Sequence, residues 1–184
     1  MENSRFYIFV NNIALKFVVY NEKKDKTMLA ANICSYNPID DIECFFKQEN
    51  SVERRSENEV VVEINGKWDN MLLFFAWEQK MNCLHISCLI NIQPQAIELP
   101  SIYELLALIN EDLWVGYFSY WEEMQMPIFR HSLFINNGEF DLDNKLSNIV
   151  NIAITECERA YPVFHAVFKQ NISPRRALLP TILM

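Results

Sequence analysis

Three short runs of strand-forming residues follow one another between residues 60 and 90, and they limit the fold more than any other feature. The β-branched run Val60–Ile64 is followed by Asn65-Gly66. This pair is the strongest short hairpin signal, because both central residues of a type I′ turn need positive φ. An aromatic-rich run over residues 67–77 and an alternating run over 83–90 complete the series. Since the joins are short, the three strands are predicted to form an antiparallel meander.

Helical patterns flank these strands. Asn37 is suited to an N-cap and Pro38 to the first helical position, which predicts a short helix over residues 38–48. Ser101 and Glu104 have the spacing of a capping box, and they predict a second helix that opens at this point in the chain.

The C-terminal half continues the alternation of strands and helices. Two strands are predicted at 115–122 and 128–136, and a long helix follows them. Pro162 must kink or end this helix, because proline lacks the backbone N–H. Ser173-Pro174 then starts a final short helix that Pro180 limits. The buried face of the long helix is predicted to carry Leu146, Ile149, Val150, Ala153, Cys157 and Ala160. The order α-β-β-β-α-β-β-α predicts an α+β domain with helices packed on a mostly antiparallel sheet.

The charge distribution divides the chain near Asn37. Residues 1–36 hold five Lys and Arg against three Asp and Glu, whereas residues 37–184 hold eleven against twenty-one. We therefore interpret 1–36 as an N-terminal extension and 37–184 as the main domain. The basic cluster around Lys23 and Lys24 leaves one alternative open, nucleic-acid binding through the extension.

Composition excludes several classes of function. Three glycines, none of them clustered, leave no loop that could bring the backbone close to a phosphate. The net charge of −8 argues against a nucleic-acid partner, and no apolar run is long enough to predict a membrane-spanning helix. Five cysteines without a regular spacing favour reduced thiols in the cytoplasm over a secreted disulfide framework.

The segment from Cys83 to Cys88 is the closest approach to a metal or Cys/His site. On a strand, Cys83 and His85 share a face while Cys88 points to the other, and zinc needs about four converging ligands. We therefore predict no metal, no cofactor and no catalytic residue. The alternative is a small cysteine hydrolase, which requires that the fold bring a cysteine to His131 or His165.

Aromatic and methionine side chains offer the best candidates for a protein contact. The segment from Trp121 to Pro127 is acidic and contains Met124 and Met126, two residues of a type that interfaces favour. Each tryptophan of the chain is otherwise expected to pack in the core. Glu156 lies off the core stripe of the long helix and is a further contact candidate.

Five blocks of the sequence together resemble the YbjN-type family of bacterial sensory transduction regulators. They match in the same order over residues 37–179 and read EVVVEINGKWDNMLLFFAW, LHISC, LPSIYELLALINEDLWVGYFSYW, PIFRHSLF and ITECERAYPVFHAVF. The resemblance implies a twisted antiparallel sheet of about five strands with helices on it, similar to type III secretion chaperones. It also implies a cytoplasmic bacterial protein that binds other proteins, and it supplies no catalytic residues. A contact with a second copy of the chain is a further expectation, by analogy with chaperones of the similar fold.

Overall fold

The computed structural model describes residues 37–46, 51–95, 97–135 and 142–179. The predicted extension 1–36 and the predicted helix limit at Pro180 lie outside these residues and stay predictions. Helices and strands are labelled in chain order as α1 (Ile39–Phe46), β1 (Ser51–Ser56), β2 (Glu59–Asn65), β3 (Asn70–Glu78), β4 (Cys83–Ile90), α2 (Leu99–Glu111), β5 (Tyr117–Trp121), β6 (Met126–Phe134), α3 (Leu142–Gln170) and α4 (Pro174–Leu178).

The strands form one antiparallel sheet, which confirms the predicted α+β class. Within the described residues the sheet has six strands in the order β1-β2-β3-β4-β6-β5. Strand β1 was not predicted, because its sequence SVERRS is polar and lacks an alternating pattern. The meander β2-β3-β4 is confirmed. Strand β4 pairs with β6, so β5 lies at the edge of the sheet.

The main core lies between one face of the sheet and the apolar stripes of the helices. Phe75 and Phe129 are buried on that sheet face, while Phe164 and Phe168 are buried on α3. The predicted buried face of α3, from Leu146 to Ala160, is confirmed at each position. Burying side chains of this size stabilises a fold by about 2 kcal/mol each.

The two predicted helix starts had different outcomes. The side-chain oxygen of Asn37 accepts a hydrogen bond from the backbone N–H of Ile39 at 3.0 Å, as expected of an N-cap. The capping box at Ser101 was wrong, because α2 begins two residues earlier and Ser101 lies inside its first turn. Glu104 pairs instead with Arg175 of α4, at 3.1 Å between Oε1 and Nε. The Glu104 carboxylate, which a capping box would have directed to the backbone N–H of the N-cap residue, is therefore engaged in this tertiary ion pair.

The type I′ turn predicted at Asn65-Gly66 was also wrong. Asn65 pairs with Asn70, so four residues connect β2 to β3, and neither residue of the pair has positive φ. A Cβ at position 66 would collide with the side chain of Met71 and the carbonyl of Asp69, so glycine serves close packing there. The longer loop carries Trp68 to helix α3.

Candidate protein-contact surface

The structure separates the three histidines. His85 lies on one face of the sheet, and His131, which pairs with Ile86 on the neighbouring strand, points to the opposite face. His165 lies on α3 and stacks on Tyr161, with ring centroids 6.3 Å apart. Within the described residues, no hydrogen bond joins a histidine ring to a cysteine sulfur.

His85 is held between two hydroxyl groups. Its Nδ1 lies 3.1 Å from Oγ of Ser132, and its Nε2 lies 3.1 Å from Oγ of Ser87. Burial lowers the pKa of His85 to about 4, and the charges of Arg130 and His131 act in the same direction. The ring is therefore neutral at pH 7 and is a weak base, so the arrangement is suited to satisfying a half-buried imidazole and ill suited to general-base catalysis.

The two central thiols lie in the core. Sγ of Cys157 donates to the carbonyl oxygen of Cys88 at 3.9 Å, and Sγ of Cys88 lies 3.9 Å from Sδ of Met71. Burial raises the pKa of Cys157 well above its ordinary value, so this thiol does not ionise near neutral pH. In the part of the chain that the structure describes, no three His, Cys, Asp or Glu side chains are grouped so that they could hold a metal.

The predicted contact segment forms the β5–β6 hairpin. Trp121 and Met124 are half-buried, while Met126 is buried at 9% exposure. The indole N–H of Trp121 donates to Glu123 at 3.0 Å. Tyr103 of α2 donates to Glu122, which fastens the turn to that helix. The hairpin is thus held to the domain, and Trp121 and Met124 are its partly accessible apolar side chains.

Glu156 lies apart from this hairpin, on helix α3. Its Oε2 atom is 2.8 Å from the guanidinium of Arg159, one turn further along the helix. The ion pair is partly exposed, and pairs of this kind contribute roughly 0–1 kcal/mol. Glu156 is therefore already engaged by Arg159, on a different element from the hairpin.

Trp68 docks on α3 at the position of Pro162. Helix α3 continues through Pro162 to Gln170, so the proline does not end it. A proline has no N–H to donate to the carbonyl four residues earlier, which is that of Glu158. The indole N–H of Trp68 donates to this carbonyl at 3.2 Å, and its ring stacks on Tyr161 with centroids 5.9 Å apart. The position of Pro162 in the sequence indicates that the carbonyl of Glu158 lacks its helical donor. It does not indicate that a residue 90 positions away donates to this carbonyl instead.

The connection between α2 and β5 exposes the most prominent aromatic side chain. Trp114 is 100% exposed and Tyr117 is 49% exposed. The expectation of core packing was therefore wrong for Trp114, which follows the end of α2 in a short loop and lies outside any apolar period. It was also wrong for Trp68, which is 50% exposed. Between Trp114 and Tyr117, Gly116 has φ +73°, and a Cβ there would overlap the ring of Phe129.

Asn110 fixes this connection to the edge of the sheet. Its side-chain amide accepts from the N–H of Phe118 at 2.7 Å and donates to the carbonyl of Phe118 at 3.0 Å. These are the hydrogen bonds that an additional strand would supply to edge strand β5. Asn110 thereby holds the segment that carries Trp114 and Tyr117 in one position.

Comparison with known proteins identifies one family. The YbjN family, described as "Putative bacterial sensory transduction regulator", matches residues 38–166, which is more than two thirds of the chain. No curated protein and no solved structure matches. The similarity to type III secretion chaperones consequently stays a prediction. None of the described helices is long and apolar enough to cross a membrane.

Proposed function

The chain belongs to the YbjN family, and on that premise we propose that it is a non-enzymatic, protein-binding regulator of the bacterial cytoplasm. It acts through protein–protein contacts, either in sensory transduction or as a chaperone-like protein. A contact with a second copy of the chain is part of the proposal. Neither nucleic acid nor a membrane is a partner, because the main domain carries a strong negative charge.

The observation that carries the proposal is the exposure of Trp114. A tryptophan offers a large apolar area with little side-chain freedom to lose, and it is enriched among the residues that dominate binding energy. Tyr117 is a second exposed aromatic residue three positions further along, and Asn110 holds the backbone of the adjoining Phe118 in place. We call Trp114 and Tyr117 the aromatic surface. Trp121 and Met124 remain further contact candidates.

The alternative, a cysteine hydrolase, has less support. A nucleophilic thiol needs a lowered pKa and an adjacent base. The pKa of Cys157 is raised, Cys88 is buried, and His85 is held by two serines. Alkylation of the whole chain near neutral pH provides a direct check, since one thiol that reacts much faster than the others would favour the hydrolase.

Capture of partners from a native bacterial lysate tests the proposal. The full chain and its Trp114→Ala variant serve as bait, and Phe134→Ala is the matched control because Phe134 is also a strongly exposed aromatic residue. We expect a reproducible partner that Trp114→Ala loses and Phe134→Ala keeps, with unchanged thermal stability of both variants. Absence of any reproducible partner, or capture that is indifferent to Trp114→Ala, would contradict the proposal.

A further inference from the structure

A cleft of about 320 Å³ lies between the C-terminal end of α2, the middle of α3 and α4. Its floor is apolar, with Ile109, Ala160 and Val163 all buried. Leu108 and Leu178 are half-buried and form part of its walls. An apolar floor with partly exposed leucines at its border is the kind of surface that excludes water well when an aliphatic side chain enters it.

The border of the cleft is negatively charged. Glu111 and Asp112 are exposed and lie at the C-terminal end of α2, where the helix dipole is already negative, and no basic residue occupies the last turn. Arg159 also lines the cleft, but Glu156 neutralises its charge through the ion pair described above. Among the residues that line the cleft, two carboxylates face one arginine that is already ion-paired, and this balance favours a cation next to the apolar floor.

We propose that this cleft binds a short amphipathic helical segment of a partner protein that carries leucine-like side chains flanked by lysine or arginine. The inference rests on the proposed function and names the class of partner. The segment inserts two or three aliphatic side chains spaced three and four residues apart, and its basic residues lie over Glu111 and Asp112.

Size and charge together select this occupant. The volume lies near the lower limit of small-molecule pockets, roughly 300–1,000 Å³, and accepts a few side chains rather than a whole helix. A second copy of this chain would bring a main domain with eleven basic against twenty-one acidic residues to an acidic border, and is disfavoured for that reason.

Asp112 lies only two residues from Trp114, so the cleft and the aromatic surface adjoin along the chain.

Binding of labelled synthetic peptides to the full chain, followed by fluorescence anisotropy, tests the proposal. The probe is an amphipathic peptide of about 15 residues, with leucines on one face and lysines beside them. Two comparison peptides keep its length: one replaces each lysine with glutamate, and the other scrambles the order so that the leucine face is lost. Glu111→Gln/Asp112→Asn removes the border charge without changing side-chain size, and Leu108→Ser removes part of the wall. Asp40→Asn/Asp41→Asn is the matched control, since it removes an adjacent acidic pair from α1.

The lysine peptide is expected to bind at least tenfold more tightly than either comparison peptide. Both cleft variants should weaken it about tenfold, the control pair should not, and added salt should reduce the affinity. Three results would overturn the inference: the glutamate peptide binds as tightly as the lysine peptide, the lysine peptide does not bind, or its affinity is the same for the natural chain and the cleft variants. Dimerisation of the chain that Glu111→Gln/Asp112→Asn abolishes would overturn it in favour of a second copy. Lysate capture that depends on Trp114 but not on Glu111 and Asp112 would remove the cleft assignment and leave the proposed function standing.

Discussion

When Pro162 is replaced with alanine, the stability of the domain is expected to depend much less on the indole N–H of Trp68. In an uninterrupted α-helix, the N–H of residue 162 donates to the carbonyl of Glu158. Proline lacks this N–H, and the indole of Trp68 donates to the same carbonyl at 3.2 Å. Alanine at position 162 restores the main-chain donor. The carbonyl of Glu158 is then satisfied whether or not Trp68 contributes.

The size of this effect on the free energy of unfolding can be measured with a variant that removes only the indole N–H. Trp68→Phe keeps an aromatic ring above Tyr161, where the two rings are now parallel to within 2°. Because Trp68 is 50% exposed, the lost hydrogen bond is expected to lower the free energy of unfolding by about 1 kcal/mol. With alanine at position 162 the same change should cost less than about 0.3 kcal/mol, so the coupling energy should exceed about 0.7 kcal/mol.

The assay is a double-mutant cycle of equilibrium urea unfolding. Far-ultraviolet circular dichroism follows the transition, because Trp68→Phe alters the tryptophan fluorescence. Pro162→Ala alone should raise the free energy of unfolding by about 2 kcal/mol, since a proline inside a helix costs roughly 3 kcal/mol and the Trp68 bond offsets about 1 kcal/mol of this. Trp121→Phe is the matched control, because its indole donates to Glu123 elsewhere in the domain.

Two results would refute this reasoning. The first is a cost of Trp68→Phe that is the same, within about 0.3 kcal/mol, in both backgrounds. The second is a Pro162→Ala variant that is less stable than the natural chain while Trp68→Phe keeps its full cost. Either would mean that the carbonyl of Glu158 does not depend on Trp68. A cost of Trp121→Phe that differs between the backgrounds would show a general effect of residue 162, and would refute the specific coupling.

Three further predictions concern single residues. Since the pKa of His85 is lowered to about 4 from 6.5, the unfolded chain binds more protons between these values, and the free energy of unfolding should fall as pH drops from 6.5 to 4. Urea unfolding across this range should show that His85→Gln removes about 2 kcal/mol of the decline, and an unchanged slope would contradict it. Asn110→Ala leaves the N–H and carbonyl of Phe118 without their partner and should cost about 2 kcal/mol in the same assay, whereas a cost below about 0.5 kcal/mol would show that water replaces the amide. Gly116→Ala should cost about 2 kcal/mol or more, because φ is +73° and a Cβ meets the ring of Phe129; a melting temperature equal to that of the natural chain would exclude this strain.

Much of the domain was predictable because it depends on patterns that neighbouring residues complete. The N-cap at Asn37, strand β4 and the buried stripe of α3 all follow from capping chemistry and from periods of two or 3.6 residues. The family assignment depends on the same linear pattern. The polar strand β1 was missed for the complementary reason, since its pairing with β2 leaves no signal in its own residues.

The contact surface was less predictable than the fold. Trp121 and Met124 are partly accessible, whereas Met126 is buried. The exposure of Trp114 and the cleft beside α2 were not expected. Whether a side chain is exposed depends on which elements lie over it, and that is a property of packing rather than of residue type.

The sequence by itself determined the class of this domain, the positions of most helices and strands, and the apolar faces that form the core, because propensity and periodicity act over a few residues. Only the tertiary structure decided which strand lies at the sheet edge and to which carbonyl the indole of Trp68 donates its hydrogen bond. It also decided which aromatic residue of the α2–β5 connection remains in solvent. These outcomes depend on contacts between residues as far apart as Trp68 and Glu158, and no local pattern specifies such a pair.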